Sequence, residues 1–160
     1  MSDDVIKTQG TALYIVDSTG SQSKVVKFDC PTGINGLGAG AVSNIPTTCL
    51  DAKKAESSIG GLEAPGAMSA PFIFKPTKES HQGVLTSLKG LTTQFMVCMS
   101  DTTSAPTLDS NGDLDPPASG TSGWFSGYIT EVSIDMAAND KVVGTMTIQR
   151  SGEIDWQFPA

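Results

Sequence analysis

Apolar and polar residues alternate with period two along most of the chain, the pattern of half-buried strands. Ala12–Asp17 and residues 24–30 flank the turn-forming run Ser18, Thr19, Gly20, Ser21 and predict a hairpin. Met68, Ala70, Phe72 and Phe74 fall on one side of a strand, and Phe95, Val97 and Met99 on one side of another. The longest alternating stretches are residues 123–136 and 141–151, joined by Ala137, Ala138, Asn139 and Asp140. In the first, Tyr128, Val132, Ile134 and Met136, with Thr130, are expected to point inward, and Ile129, Glu131, Ser133 and Asp135 outward. In the second, Val142, Met146 and Ile148 alternate with Thr145, Thr147 and Gln149. The pair therefore predicts one buried face and one broad polar face. Both strands are long, and long exposed edges invite pairing with other chains.

Helical signals are few. Ser80 is placed to cap a helix over residues 81–89, with Val84, Leu85 and Leu88 as its apolar stripe and Gly90 as its stop. A weaker helical pattern covers residues 50–58 and ends at Gly60 and Gly61. The sum is an all-β fold, a sandwich or barrel of antiparallel strands with an accessory helix. Two loops are long. Residues 31–44 carry Gly33, Asn35, Gly36, Gly38 and Gly40 and little that fixes a shape, so a partner is expected to order them. Residues 101–122 are rich in Thr, Ser, Pro, Gly and Asp.

A length of 160 residues suggests one domain spanning 1–160. Charged residues make up 17%, below the usual level of about 25%, and Ser, Thr and Gly take their place. The net charge of −7 argues against capture of nucleic acid, because phosphate contacts need Lys and Arg. Cys30, Cys49 and Cys98 are too scattered for a disulfide framework or a zinc site, and are expected to be free, mostly buried thiols. The opening MSDDVIKTQG is polar and acidic, unlike a signal peptide. No apolar run approaches the roughly 20 residues of a membrane span, so no membrane partner is expected.

Candidate chemistry is thin. Gly36, Gly38 and Gly40 fit a relaxed dinucleotide fingerprint, but Asn44 and Pro46 follow where a helix should start. Asp109, Asn111, Asp113 and Asp115 resemble the start of a calcium loop, yet Leu114 and Gly120 stand where Gly and a bidentate Glu are needed. Cys98 and His81 are the one Cys/His combination at moderate separation. Cys98 falls in an alternating strand and His81 in a first helical turn, a common surface position. No cofactor, no metal and no enzymatic activity are expected.

The order of segments carries a resemblance. A strand Gly10-Thr11-Ala12-Leu13-Tyr14-Ile15-Val16 is followed by Ile45-Pro46-Thr47-Thr48-Cys49-Leu50-Asp51 and then Gly60-Gly61-Leu62-Glu63-Ala64-Pro65-Gly66. His81-Gln82 opens the helix, Phe125-Ser126-Gly127-Tyr128-Ile129-Thr130-Glu131-Val132 begins the closing hairpin, and Ile148-Gln149-Arg150-Ser151-Gly152 ends it. Over nearly its whole length the chain resembles the major tail tube proteins of long-tailed, non-contractile bacteriophages. The resemblance implies a structural virion protein forming hexameric rings, in which strands from six subunits complete an inner β-barrel. Stacked rings form the hollow tail that delivers DNA to the bacterial host. It also implies assembly in the host cytoplasm, with tape measure, tail terminator and distal tail proteins as further partners. Phage DNA would pass through without specific binding.

Within that picture, Glu131, Ser133, Asp135, Thr145, Thr147 and Gln149 are the candidate lumen or inter-subunit face. Gly33, Asn35, Gly36, Gly38 and Gly40 are the candidate inter-ring loop. Two rivals stand beside it: a tube protein of a contractile injection system, and a glycan- or receptor-binding β-sandwich on a virion surface. The latter needs clustered exposed aromatics, for which Trp124, Trp156 and Tyr128 are the candidates.

Overall fold

The computed structural model describes residues 5–38, 40–51 and 53–159. In chain order its elements are β1 (Ala12–Asp17), β2 (Lys24–Lys27), β3 (Ala41–Pro46), β4 (Ser58–Ala64), β5 (Ala67–Ile73), α1 (Glu79–Leu85), β6 (Thr93–Cys98), β7 (Thr107–Leu108), β8 (Leu114–Asp115), β9 (Ser122–Asp135) and β10 (Val143–Gln157). Six strands form one sheet in the order β2-β1-β6-β9-β10-β5, with every neighbour antiparallel. The β1–β2 hairpin and the alternating strands at 67–73 and 93–98 stand where the pattern predicts them.

The sheet closes on itself. Beyond β2, Phe28 donates its N–H to the Leu13 carbonyl at 2.8 Å, still on the β1 side. The chain then turns at Cys30, whose φ of 51° is left-handed, and runs antiparallel along the far edge of β5. There Thr32 N–H reaches Pro71 O at 2.7 Å, and Asn35 and Ser69 exchange both backbone bonds at 2.8 and 2.9 Å. One continuous segment thus links the β2–β1 side of the sheet to the β5 edge, and the result is a barrel. The glycine-rich loop is therefore not loose, as expected from its composition; its first half is a seam. Gly36 is required there, since its φ is +84° and a Cβ would stand 2.5 Å from Ala67 O.

The barrel interior holds Leu13, Ile15, Phe28, Met68, Ala70, Phe72, Phe95, Val97, Phe125, Ile129, Met146 and Ile148, closed by Val84 and Leu88 after and within the helical turn region. Each such side chain contributes about 1.5–3 kcal/mol by leaving water. The inward set of β9 differs from simple alternation. Opposite β10, the register shifts between Thr147/Ile148, so that Thr147 pairs with Glu131 but Ile148 with Ile129. Thr130 is the extra residue of a β-bulge. Ile129 and Val132 consequently both face the core, whereas Tyr128, expected inside, is on the outer face. A second irregularity between Ser151/Asp155 carries β10 past Gly152, at φ +91°, to Gln157. The strand thus runs beyond its predicted end at 151.

The helix is shorter than predicted and differently anchored. It spans Glu79–Leu85 with Lys78 at its N-cap, and no side chain caps it. Ser80 instead donates to Asp29 Oδ2 at 2.6 Å and accepts the Asp29 N–H at 3.1 Å. Beyond Gly83 the run Thr86-Ser87 propagates a helix poorly, and the Gly83 carbonyl accepts from both Thr86 and Leu88 N–H as the chain turns away. His81 is fully buried, contrary to the surface position expected of it. It stands against Phe28, Phe72 and Phe74, its ring centre 5.0, 4.8 and 5.9 Å from theirs. Its Nδ1 accepts the Lys75 N–H at 2.9 Å, so Nε2 carries the proton and donates it to Asp29 O at 2.6 Å. No second helix forms over the described residues of 50–58, which instead lead from a turn into β4.

Residues 101–122 are ordered against the outside of the barrel. The small β7–β8 hairpin brings Leu108 and Leu114 over Val16, Met96 and Cys98, with Tyr14, Val25 and Trp124 packed alongside. This patch explains why β1 and β6 are buried on both faces. The base of the segment is tied by Thr121, whose N–H and Oγ1 donate to the two oxygens of Asp101 at 2.9 and 2.8 Å. The backbone bond from Thr121 is the main reason the Asp101 carboxyl lies below its ordinary pKa.

Urea unfolding checks the seam and its anchor. His81→Ala is expected to lower the unfolding free energy by about 3–5 kcal/mol, since it empties a core site and orphans two backbone groups. Gly36→Ala should cost about 1–3 kcal/mol, while Gly38→Ala, where nothing lies within 4 Å, should cost almost nothing. Equal effects at the two glycines would contradict the seam.

Candidate functional site

The six predicted polar residues lie together on the outer face of the β9–β10 pair. Ser133 is directly opposite Thr145 and Glu131 opposite Thr147, while Asp135 faces Val143 and Gln149 faces Tyr128. The same face continues across β5 through Ser69, opposite Thr147, and Pro71, opposite Thr145. The Thr130 bulge makes this possible, because it turns Val132 and Ile134 inward and leaves Glu131, Ser133 and Asp135 outside. Thr130 Oγ1 donates to Thr147 O at 3.3 Å and Gln149 Nε2 to Pro65 O at 3.1 Å, which holds the wall's edge in place. Neither β9 nor β10 places a Lys or Arg on this face. Among the described residues the one ion pair is Lys141–Asp140, so Glu131 and Asp135 are not neutralised by a cation. The surface is polar, acidic and flat.

The candidate inter-ring loop divides in two. Gly33, Asn35 and Gly36 belong to the seam. A Cβ at Gly33 would meet the Pro71 ring at 3.4 Å, and Asn35 pairs with Ser69. Gly40 sits at the root of a second feature, donating its N–H to Glu63 Oε1 at 2.6 Å. Only Gly38 of the five has open space around it. Beyond Gly40 the chain forms an arm that the sequence pattern did not predict. β3 and β4 pair with each other in a separate two-stranded sheet, Ile45 opposite Ile59 and Val42 opposite Glu63. Every residue of β3 is exposed and most of β4 is too. Val42, Ile45, Ile59 and Leu62 display apolar side chains to solvent, and Leu50 near the tip is fully exposed. The alternation of Val42 and the Ile59–Leu62 region carried the signal. The glycine pair Gly60-Gly61, read as a helix stop, lets the strands approach instead: a Cβ at Gly61 would collide with Ser43 Oγ.

None of the chemical motifs is assembled. The strand β3 follows the 36–40 glycines, so no helix N-terminus faces them. Asp109 Oδ1 is occupied by the N–H groups of Asn111 and Asp113 at 2.8 and 3.0 Å, a self-contained turn. His81 has both nitrogens engaged in the barrel interior, and Cys98 belongs to the outer cluster on the opposite side of the sheet. Burial raises the Cys98 thiol to a pKa of about 11, which leaves it protonated and inert. Of the other thiols, Cys30 is half-buried and Cys49 exposed, so burial holds for one cysteine rather than most. A cleft of about 400 Å³ between residues 6–11 and the seam is lined by Ile34, Leu37, Val97, Met99 and Trp156, with no Cys, His, Asp or Glu. Trp124 packs into the outer cluster and Trp156 stacks on Phe158 at 6.0 Å.

A barrel with a polar wall and a projecting apolar arm is an architecture for contact between subunits, a structural assembly protein. Comparison with known proteins gives the family. Residues 4–160 match the family model described as phage tail tube protein, lambda-like, and the chain belongs to that family. It is 36% identical over 157 residues to Structural protein 3 of Pseudomonas phage PAJU2, across 94% of this chain and 93% of that one. It is accordingly a structural protein of the phage tail tube and a component of the virion.

Solved structures agree in fold. The SPP1 tail tube structure aligns with TM-score 0.61 at 10% identity, over 96% of this chain and 81% of that one. A chain of the PVC extracellular contractile injection system, in a structure of its sheath/tube terminator, aligns with TM-score 0.66 at 12% identity over 98% and 99%. A chain of a gene transfer agent virion gives TM-score 0.63 at 10% identity over 96% and 99%. The contractile relative shares the architecture; the family match places this chain with the lambda-like tubes.

Two outcomes follow from the geometry. Replacing residues 44–60 by a two-residue Asn-Gly turn should leave the barrel folded, with a thermal midpoint within a few degrees of the parent by circular dichroism, because the arm stands off the barrel. A thiol reagent at pH 8 should modify Cys49 at once and Cys98 only on unfolding. Because the folded pKa of Cys98 is raised, its contribution to stability is full below pH 9 and is lost as pH rises through about 11.

Proposed function

We propose that this protein assembles into stacked rings, six copies to a ring, whose joined β9–β10 walls line the channel through which DNA leaves the virion. The observation that carries the reading is the arm. A 24-residue excursion from 41 to 64 that exposes Val42, Ile45, Leu50, Ile59 and Leu62 gains nothing in a monomer and marks a contact surface. The arm forms a sheet of its own apart from the barrel sheet, and in the proposed stack an arm from one copy meets a different surface on the next. Such head-to-tail contacts propagate rather than close.

The polar wall supports the second half of the reading. A channel for DNA must not hold it. Each Lys or Arg contact to phosphate releases counterions and adds affinity, and the β9–β10 wall has none, while Glu131 and Asp135 repel phosphate. Pairing across six copies would cover the β9 edge beyond Ile129, where its bonds to β6 and Gly90 end. Tape measure, terminator and distal tail proteins are the partners at the tube's axis and ends, and assembly in the host cytoplasm precedes release of the virion.

Negative-stain electron microscopy of the concentrated protein should show hollow tubes or rings with six-fold symmetry. Leu50→Asp with Leu62→Asp should abolish them while leaving the circular dichroism melt unchanged. In assembled virions, Glu131→Lys with Asp135→Lys should preserve tails but slow DNA release, measured by dye uptake after triggering. Ejection at the parental rate would remove the lumen assignment.

A further inference from the structure

The strand directions decide which segments meet at each end of the barrel. Every neighbour is antiparallel, so β1, β9 and β5 run one way and β2, β6 and β10 the other. The turn 18–23, the helix-bearing connection 74–92 and the turn 136–142 therefore share one end. Residues 5–11, the root of the arm, residues 99–106 and the last stretch of β10 share the other. That second grouping is seen directly, since Ile6, Lys7, Asp101 and Pro159 border one shallow recess.

The two ends differ in charge. The first carries Lys75, Lys78, Lys89 and Lys141 against Glu79 and Asp140, a net +2 with His81 neutral. Lys141 and Asp140 pair with each other. Lys75, Lys78 and Lys89 are exposed and have no ion pair among the described residues. The second end carries Asp101, Glu153 and Asp155 against Lys7, a net −2. Glu153 and Asp155 are likewise exposed and without an ion pair among the described residues. A surface shaped by solubility alone intersperses the two signs, whereas this one separates them along the barrel. Each end also shows apolar side chains to solvent, Leu91 and Met136 on the first, Ile6 and Phe158 on the second.

We infer that the contact between stacked copies is electrically polar: the end bearing Lys75, Lys78 and Lys89 seats on the end of the next copy bearing Asp101, Glu153 and Asp155. The occupant is a second copy on grounds of charge complementarity. Copies stacked in one orientation bring the two unlike ends together, while a reversed copy sets like charges against each other. The charges thus select the head-to-tail arrangement that propagates, and the apolar side chains on both ends add burial once they meet. The inference rests on the stacking reading above and assigns the surfaces that meet in it.

Charge reversal tests it with a rescue. Lys75→Glu with Lys78→Glu and Lys89→Glu makes both ends acidic, and Glu153→Lys with Asp155→Lys makes both basic. Asp101 is left in place because it holds Thr121. Each set alone should raise the concentration needed for assembly about tenfold or more, measured by pelleting and negative-stain microscopy. A chain carrying all five changes should recover most of that loss. Single sets that assemble at the parental concentration, or a combined variant no better than either set, overturn the inference and leave stacking itself intact. Failure of the wild type to form tubes overturns both. A second readout needs no variant to fold. Raising salt from about 0.1 to 1 M shortens the screening length from roughly 10 to 3 Å and should raise the concentration at which the wild type assembles. A concentration that stays level or falls overturns the inference.

Discussion

A six-stranded antiparallel sheet has two edges, and an exposed edge is a row of unpaired backbone groups that other chains can join. Here a single segment, residues 28–36, joins them: it continues β2 and pairs with β5. It leaves β1, bends at Cys30 and runs along β5. A chain bending so sharply needs something to hold the corner, and His81 supplies it. One ring nitrogen accepts a hydrogen bond from the Lys75 amide, the other donates to the Asp29 carbonyl at the bend, and three phenylalanines enclose the ring. Ser80 clasps the Asp29 side chain from the same helix. The short helix is therefore a clamp on the barrel seam, and its stability comes from that clamp rather than from its own length.

With β5 joined to the continuation of β2, the surfaces left for assembly are the faces, the projections and the β9 edge beyond Ile129. The outer face of the sheet is treated differently along its width. Over β1 and β6 the 101–122 segment covers it and forms the second apolar cluster. Over β9, β10 and β5 it stays open and polar. The bulge at Thr130 decides where one regime ends, since it shifts the phase of β9 so that Ile129 and Val132 both serve the core. The residues beyond it, Glu131, Ser133 and Asp135, then share one surface with Thr145 and Thr147. A regular strand could not have kept both the core and that wall.

One feature makes no sense within one molecule: the arm exposes aliphatic side chains that the barrel has no use for. A tail tube protein that assembles as proposed needs contacts that are absent in the free subunit and appear only between copies. Apolar surface supplies the strength of such contacts.

Much of this was legible from the residues in order. Alternation located β1, β2, β5, β6 and the long hairpin, because the period of two is imposed locally by the strand backbone and by the need to bury one face. The polar set on β9 and β10 was readable for the same reason. What alternation could not supply was anything requiring knowledge of a distant partner. Tyr128 and Ile129 exchange faces because of a bulge that depends on pairing with Thr147 and Ile148. Ser80 leaves its expected cap for Asp29, and His81 is drawn inside, because the chain some fifty residues earlier arrives there to close the barrel. The 31–36 glycines look unstructured by composition and become a seam when β5 offers its edge. Residues 50–58 look weakly helical, yet lie at the end of an arm whose strands are held by one another. The sequence by itself determined which residues alternate, which are apolar and how the charge is distributed. Only the tertiary structure decided where the sheet closes, which face the bulge exposes and that the sole arginine is buried with no ion pair among the described residues, because each of these depends on contacts between segments far apart in the chain.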